Sequence, residues 1–148
     1  MTTILPPLSE RTIVMDASVI AKYMLPDESA DEVRRMVPKG ADQIAPSIIE
    51  FEIRSLLCKH VRLGRLTKEM ADEALASWES ALEEEWIWIV PMEEYINDAF
   101  NLGCAIKHPL YDCCYLALAQ QSNASLVTAD RKLYERGKAA YADILFAA

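Results

Sequence analysis

Five short apolar runs alternate with helix-length stretches along the whole chain, and that order leaves few folds open. The runs fall at 12–16, 43–45, 86–90, 126–127 and 143–146. The third, "WIWIV", is apolar at every position, as a strand covered on both faces of a parallel sheet should be. Strands separated by helices argue for an α/β fold, with a parallel sheet layered between helices. Right-handed crossovers then follow from the twist of the strands.

The helices are expected at 18–24, 28–37, 47–63, 67–82, 93–106, 110–121 and 130–137. In the third, Ile49, Ile53, Leu56, Leu57 and Val61 recur at helical spacing and give one apolar face. His60 falls on that face and reads as a packed core histidine. Pro46 suits the first turn of this helix, and Gly64 its end. Thr67 suits the cap of the next helix, with Met70, Ala74, Leu75 and Trp78 turned inward. Glu83, Glu84 and Glu85 read as a solvated turn.

In open α/β sheets, sites lie beyond the carboxyl ends of the strands. Asp16 ends the first run in "TIVMDASVI", and Asp130 follows the fourth in "SLVTADRKL". Asp112 falls in the first turn of the helix opened by Pro109, and Glu52 on the long helix in "EFEIRSLL". Each acid also has a plain structural use. Asp16 and Asp130 suit N-caps, Asp112 the positive end of its helix, and Glu52 a solvated edge. Periodicity does not choose between Glu52 and Glu50.

A chain of 148 residues is long enough for one domain with a real core. Residues 1–11, with Pro6-Pro7, read as an extended tail ahead of a domain at 12–148. The net charge of −8 opposes generic attraction to nucleic acid, unless bases cluster or metal ions neutralise the site. The four cysteines, 58, 104, 113 and 114, form no CxxC pair. They read as small core residues in a reducing, cytoplasmic setting. The opening "MTTILPPLSER" has neither the basic start nor the apolar stretch of a signal peptide. No run approaches the ~20 apolar residues of a membrane span.

The order strand–Asp–x–Ser, helix–Glu, helix–Asp, strand–Thr–x–Asp resembles the PIN-domain ribonucleases, especially the VapC toxins of bacterial and archaeal toxin–antitoxin pairs. The matching pieces are "IVMDASVI", "FEIRSLL", "LYDCCYLALA" and "LVTADRKL", spread over residues 13 to 133. Ser55 stands where many relatives have Asn. The resemblance implies a PIN-like three-layer α/β/α sandwich with a central parallel sheet. It assigns Asp16, Glu52, Asp112 and Asp130 to an acidic, metal-binding catalytic cluster, with Ser18 and Thr128 as supporting hydroxyls. It also implies an RNA substrate, a small antitoxin partner and a homodimer. With 52% hydrophobic residues, the chain has apolar surface for such interfaces.

Phosphodiester hydrolysis needs an activated water and charge stabilisation on the phosphoryl oxygens, which Mg²⁺ or Mn²⁺ supplies. Carboxylates with no histidine beside them suit these hard ions. Two carboxylates at about 4 Å repel by roughly 4 kcal/mol at an effective dielectric near 20, so a shared pocket calls for a cation or a shared proton. Lys22, Arg54 and Arg131 are the candidate phosphate contacts. Two other functions compete. One is a PIN fold that binds RNA or protein without cutting. The other is a phosphohydrolase with Asp16 as nucleophile; phosphatases of the haloacid-dehalogenase type carry a second Asp two residues on, where Ser18 stands here.

Overall fold

The structure is a computed structural model and describes residues 12–25 and 40–147. The expected tail at 1–11 and helix at 28–37 lie outside the described residues. Among the described residues, five strands form one parallel sheet: β1 (Thr12–Met15), β2 (Asp42–Pro46), β3 (Trp88–Val90), β4 (Ser125–Thr128) and β5 (Ile144–Phe146). Their spatial order is β3-β2-β1-β4-β5. The chain thus builds outward from β1 on one side, then crosses back to build outward on the other. Register fixes the centre: Val14 stands opposite Ile44 on β2 and Leu126 on β4. All three are at most 1% exposed, because a central parallel strand is covered on both faces.

The described helices are α1 (Ala17–Met24), α2 (Ile49–Arg62), α3 (Lys68–Glu83), α4 (Ile96–Ile106), α5 (Leu110–Gln121) and α6 (Arg131–Gly137). Helices α1, α2 and α3 pack on one another, as do α4 and α5. The crossovers from β1 to β2 and β3 run one way along the sheet and those to β4 and β5 the other, so right-handed connections place their helices on opposite faces. This is the expected three-layer α/β/α sandwich. Helix α5 lies against β1, β2 and β4, and every residue from Cys113 to Ala119 is buried. A helix apolar all round belongs in a core. Its first turn, which carries Asp112, emerges at the sheet's carboxyl edge.

Several local expectations are corrected. Pro46 ends β2, paired with Val90 of β3, instead of opening a helix. Of "WIWIV", only 88–90 is strand, and Trp86 is 66% exposed. Among the described residues the run lies at an edge of the sheet, with a strand on one side only. On α3 the inward stripe is Ala71, Ala74 and Trp78, while Met70 is exposed; the small alanines let α3 approach its neighbours closely. His60 is only half-buried. Cys58 and Cys104 are exposed, whereas Cys113 and Cys114 are core residues as expected.

The Thr67 cap forms as expected, its hydroxyl accepting from the Met70 N–H at 3.2 Å. Thr67→Ala should cost about 1 kcal/mol, lowering the melting temperature by roughly 2–4 °C. A thermal melt followed by circular dichroism checks this, and an unchanged midpoint would show that the cap contributes nothing.

Candidate functional site

The chain reverses its direction of building between β1 and β4, and in such sheets the crevice beyond the strand ends at that point is where ligands bind. Asp16 leaves β1 there, its N–H bonded to the Val127 carbonyl of β4 at 3.1 Å. Its side chain caps α1. Oδ1 accepts from the Val19 N–H at 3.1 Å and the Ser18 hydroxyl at 2.6 Å. Oδ2 accepts from the Thr128 hydroxyl. Thr128 is fully buried, and its oxygen accepts in turn from the Asp130 N–H at 3.0 Å. Asp130 caps α6 through Oδ1, which accepts from the N–H groups of Lys132 and Leu133. The two aspartates therefore are N-caps, and one hydroxyl joins them across the central strand pair.

Asp112 and Glu52 complete the cluster from α5 and α2. Asp112 Oδ2 lies 2.7 Å from His108 Nε2. The absence of a histidine beside the acids, expected from the sequence, is thus corrected: a buried His108 stands against Asp112. Ligand atoms of His108, Asp112 and Asp130 lie within 4.8 Å of one another. Glu52 Oε1 is buried and has no hydrogen-bond partner among the described residues. The equally buried Tyr115 hydroxyl is close enough to influence its ionisation, but not in hydrogen-bonding geometry.

Glu50 and Glu52 have different surroundings. Glu50 Oε1 accepts from the Trp78 indole N–H and lies 3.5 Å from Arg54. Glu50 is thereby tied to α3, while Glu52 shares a field with Asp112 and Asp16. Arg54 also bonds the Glu50 carbonyl oxygen at 2.8 Å and pairs with Glu79 at 3.6 Å. Arg131 lies 4.7 Å over the Phe146 ring and 3.8 Å from Glu135. Lys22 is half-buried in the last turn of α1.

The electrostatics follow from burial and crowding. Asp16 is 5% exposed. Burial pushes its carboxyl up to about 6, against the lowering pull of Ser18, Thr128 and the Val19 N–H, and the charge of Asp112 adds to the rise. Glu52 is pushed up to about 7, mainly by burial; the Tyr115 hydroxyl opposes this and the charges of Asp112 and Asp16 reinforce it. Asp112 is raised by burial first, lowered by His108, and raised again by the charge of Asp130. At the rim, Tyr111 is raised by Asp112 first, then by burial, Glu52 and Asp130. The charge of Asp112 thus reaches Asp16 and Glu52, that of Asp16 reaches Glu52, and that of Asp130 reaches Asp112, which makes one negative centre.

That centre has the chemistry of a divalent-cation site. The unpartnered Glu52 Oε1 is a costly thing to bury, and carboxylates held above their usual range are relieved by a positive charge. Oxygen donors favour Mg²⁺ or Mn²⁺. Sequence reasoning missed His108 and Tyr115. The spacing His108–x₃–Asp112 was a signal for the first, and nothing but helix phase marked the second.

Known proteins resemble the chain along nearly its whole length. A family model described as the PIN domain matches residues 13–139. Ribonuclease VapC3 of Pyrobaculum aerophilum is 32% identical over 131 residues, covering 84% of this chain and 93% of that protein. Ribonuclease VapC9 of Mycobacterium tuberculosis is 30% identical over 128 residues, covering 86% and 92%. A crystal structure from Pyrobaculum aerophilum superposes with a TM-score of 0.64 at 20% identity, over 85% of this chain and 79% of that one. A toxin–antitoxin complex from Klebsiella pneumoniae gives 0.62 at 14% identity, over 92% and 98%. At those identities the two structures speak for the fold alone.

Proposed function

We propose, because the chain belongs to the PIN-domain family in its VapC-type branch, that it is a metal-dependent endoribonuclease and the toxin of a toxin–antitoxin pair. The observation that carries this reading is the acidic centre at the β1/β4 crevice, with a buried Glu52 oxygen left without a partner.

Asp16, Glu52, Asp112 and Asp130 would hold Mg²⁺ or Mn²⁺. When bound, the ion supplies an activated water and neutralises charge on the phosphoryl oxygens. The chain's own residues prepare the site. Ser18 and Thr128 fix the Asp16 carboxylate by donating to one oxygen each. Thr128 also orients the backbone of Asp130. Helix α5 presents Asp112 from a rigid, buried element, which suits positioning at sub-ångström tolerance. With both phosphate and carboxylates negative, Lys22, Arg54 and Arg131 remain the candidates to draw RNA toward the crevice.

The reading also includes a cognate antitoxin, a homodimer and a cytoplasmic setting. Among the described residues, no helix is long and apolar enough to cross a membrane. A basic antitoxin arm would complement the charge of −8, with an arginine suited to the carboxylates.

Purified chain should cleave RNA with Mg²⁺ or Mn²⁺ and stop in excess EDTA; undiminished cleavage in EDTA overturns the metal's role. Glu52→Gln should slow cleavage about a hundredfold, the scale of losing one charge-stabilising group. Glu50→Gln keeps an acceptor for Trp78 and should stay within a few-fold of the parent. The reverse ranking would move the functional carboxylate by two residues. Expression alone should arrest growth and coexpression of the antitoxin should relieve it. A harmless chain with no small copurifying partner removes the toxin assignment.

A further inference from the structure

We propose that Arg136 fixes the tautomer of His108, so that His108 serves as a positioning residue for Asp112 and stays out of the metal's coordination sphere. The inference rests on the metal site proposed above and deepens it. His108 is 8% exposed, between α4 and α5, and both of its ring nitrogens are engaged. Nε2 lies 2.7 Å from Asp112 Oδ2, and Nδ1 lies 3.2 Å from an Arg136 nitrogen. The same Arg136 nitrogen donates to the Lys107 carbonyl at 3.0 Å, which anchors the guanidinium beside the ring.

A guanidinium only donates. Nδ1 must therefore be the accepting nitrogen, and the proton of the neutral ring sits on Nε2, aimed at Asp112. The cluster geometry, with His108, Asp112 and Asp130 ligand atoms within 4.8 Å, would otherwise suit a histidine ligand. For Nε2 to bind a metal, the proton would have to move to Nδ1, where it would meet the Arg136 N–H head-on. Arg136 thus converts a nitrogen ligand into a hydrogen-bond donor. The donor set left to a cation is all oxygen, which favours Mg²⁺ or Mn²⁺ over softer ions such as Zn²⁺. The link also ties α6, whose first turn Asp130 caps, to α5, which carries Asp112. A partner of this kind commonly affects metal affinity by 10- to 100-fold.

The tautomer is read directly from long-range ¹H–¹⁵N spectra of the metal-free full chain, labelled at histidine, at mildly alkaline pH. The parent should show His108 protonated at Nε2. Arg136→Met removes the donor that blocks Nδ1, so the ring should be free to carry its proton there when Zn²⁺ binds at Nε2. Zn²⁺ affinity should then rise about tenfold relative to Mn²⁺ by titration calorimetry. Without metal, Asp112 still draws the proton to Nε2. His108→Ala should weaken Mn²⁺ binding about tenfold, while His108→Gln, which can donate to Asp112 and accept from Arg136, should restore it. A parent ring protonated at Nδ1 overturns the proposal, as does an Arg136→Met protein with unchanged metal preference. Should Arg136→Met not fold, the parent spectrum and the His108 pair decide. The tautomer reading needs neither metal nor RNA, so an absence of RNase activity would count against the proposed function and leave this assignment standing.

Discussion

Asp16→Asn should reduce RNA cleavage roughly a thousandfold, a loss of about 4 kcal/mol of transition-state stabilisation, with a native circular dichroism spectrum. Asparagine keeps the shape of the side chain. Its oxygen still accepts from Ser18 and Val19, which hold Oδ1 now. Its amide then faces Thr128, whose oxygen has a second lone pair beside the one given to Asp130. What is lost is a charge at the centre of the cluster. Asp112→Asn should act alike, from the first turn of α5. Cleavage of a labelled RNA with Mg²⁺ or Mn²⁺, measured alongside the spectrum, separates chemistry from folding. If either variant cuts at the parent's rate, the acids are not one catalytic centre.

The second large effect is on stability without metal. Asp16 has an ordinary value of 3.8 and stands near 6 in the fold, and Glu52 moves from 4.5 to about 7. A carboxyl raised on folding binds its proton more tightly in the native state. Its contribution is fully present below the unfolded value and is lost as pH rises through the folded one. Metal-free protein should therefore lose stability between about pH 4 and pH 7. For Asp16 the loss is about 3 kcal/mol, or roughly 6–12 °C in melting temperature. Glu52 adds less than its displacement alone suggests, because part of it meets water.

Mg²⁺ or Mn²⁺ should reverse the trend at neutral pH, since a cation that binds only the folded site stabilises it. Asp112→Asn removes a charge felt by both Asp16 and Glu52. It should melt higher than the parent without metal at neutral pH and gain less from added ion. Asp42→Asn, at the start of β2 and the far end of the strands, is the control. Equal melting and equal metal response in parent and both variants would dissolve the cluster into separate surface acids.

The readable part of this architecture is the part that local pattern controls. Asp16 and Asp130 were legible because each follows an apolar run, and a strand's end is where its next residue leaves the sheet. The order of runs and helices was enough for the parallel layers. What sequence left open depended on partners from elsewhere. Glu50 and Glu52 share a helix and differ in phase, but Trp78 of α3 takes one of them. Trp86 and Met70 are apolar yet exposed, because edge position and helix phase are settled by packing, not by hydrophobicity. His108 was visible as a residue, but its meaning depends on Arg136, 28 residues away on α6.

The Thr128–Asp16 hydrogen bond closes a span of 112 residues, and this sets when the centre can exist during synthesis. Closing so long a loop is entropically costly until the strands on either side pair, and sheets built from distant segments assemble slowly. A nascent chain extended only through α5 already holds Asp16, Glu52 and Asp112. It has no β4 beside β1, no Thr128 to clamp Asp16, and no Asp130. The acidic centre therefore stays incomplete in the nascent chain until β4 has emerged and docked beside β1.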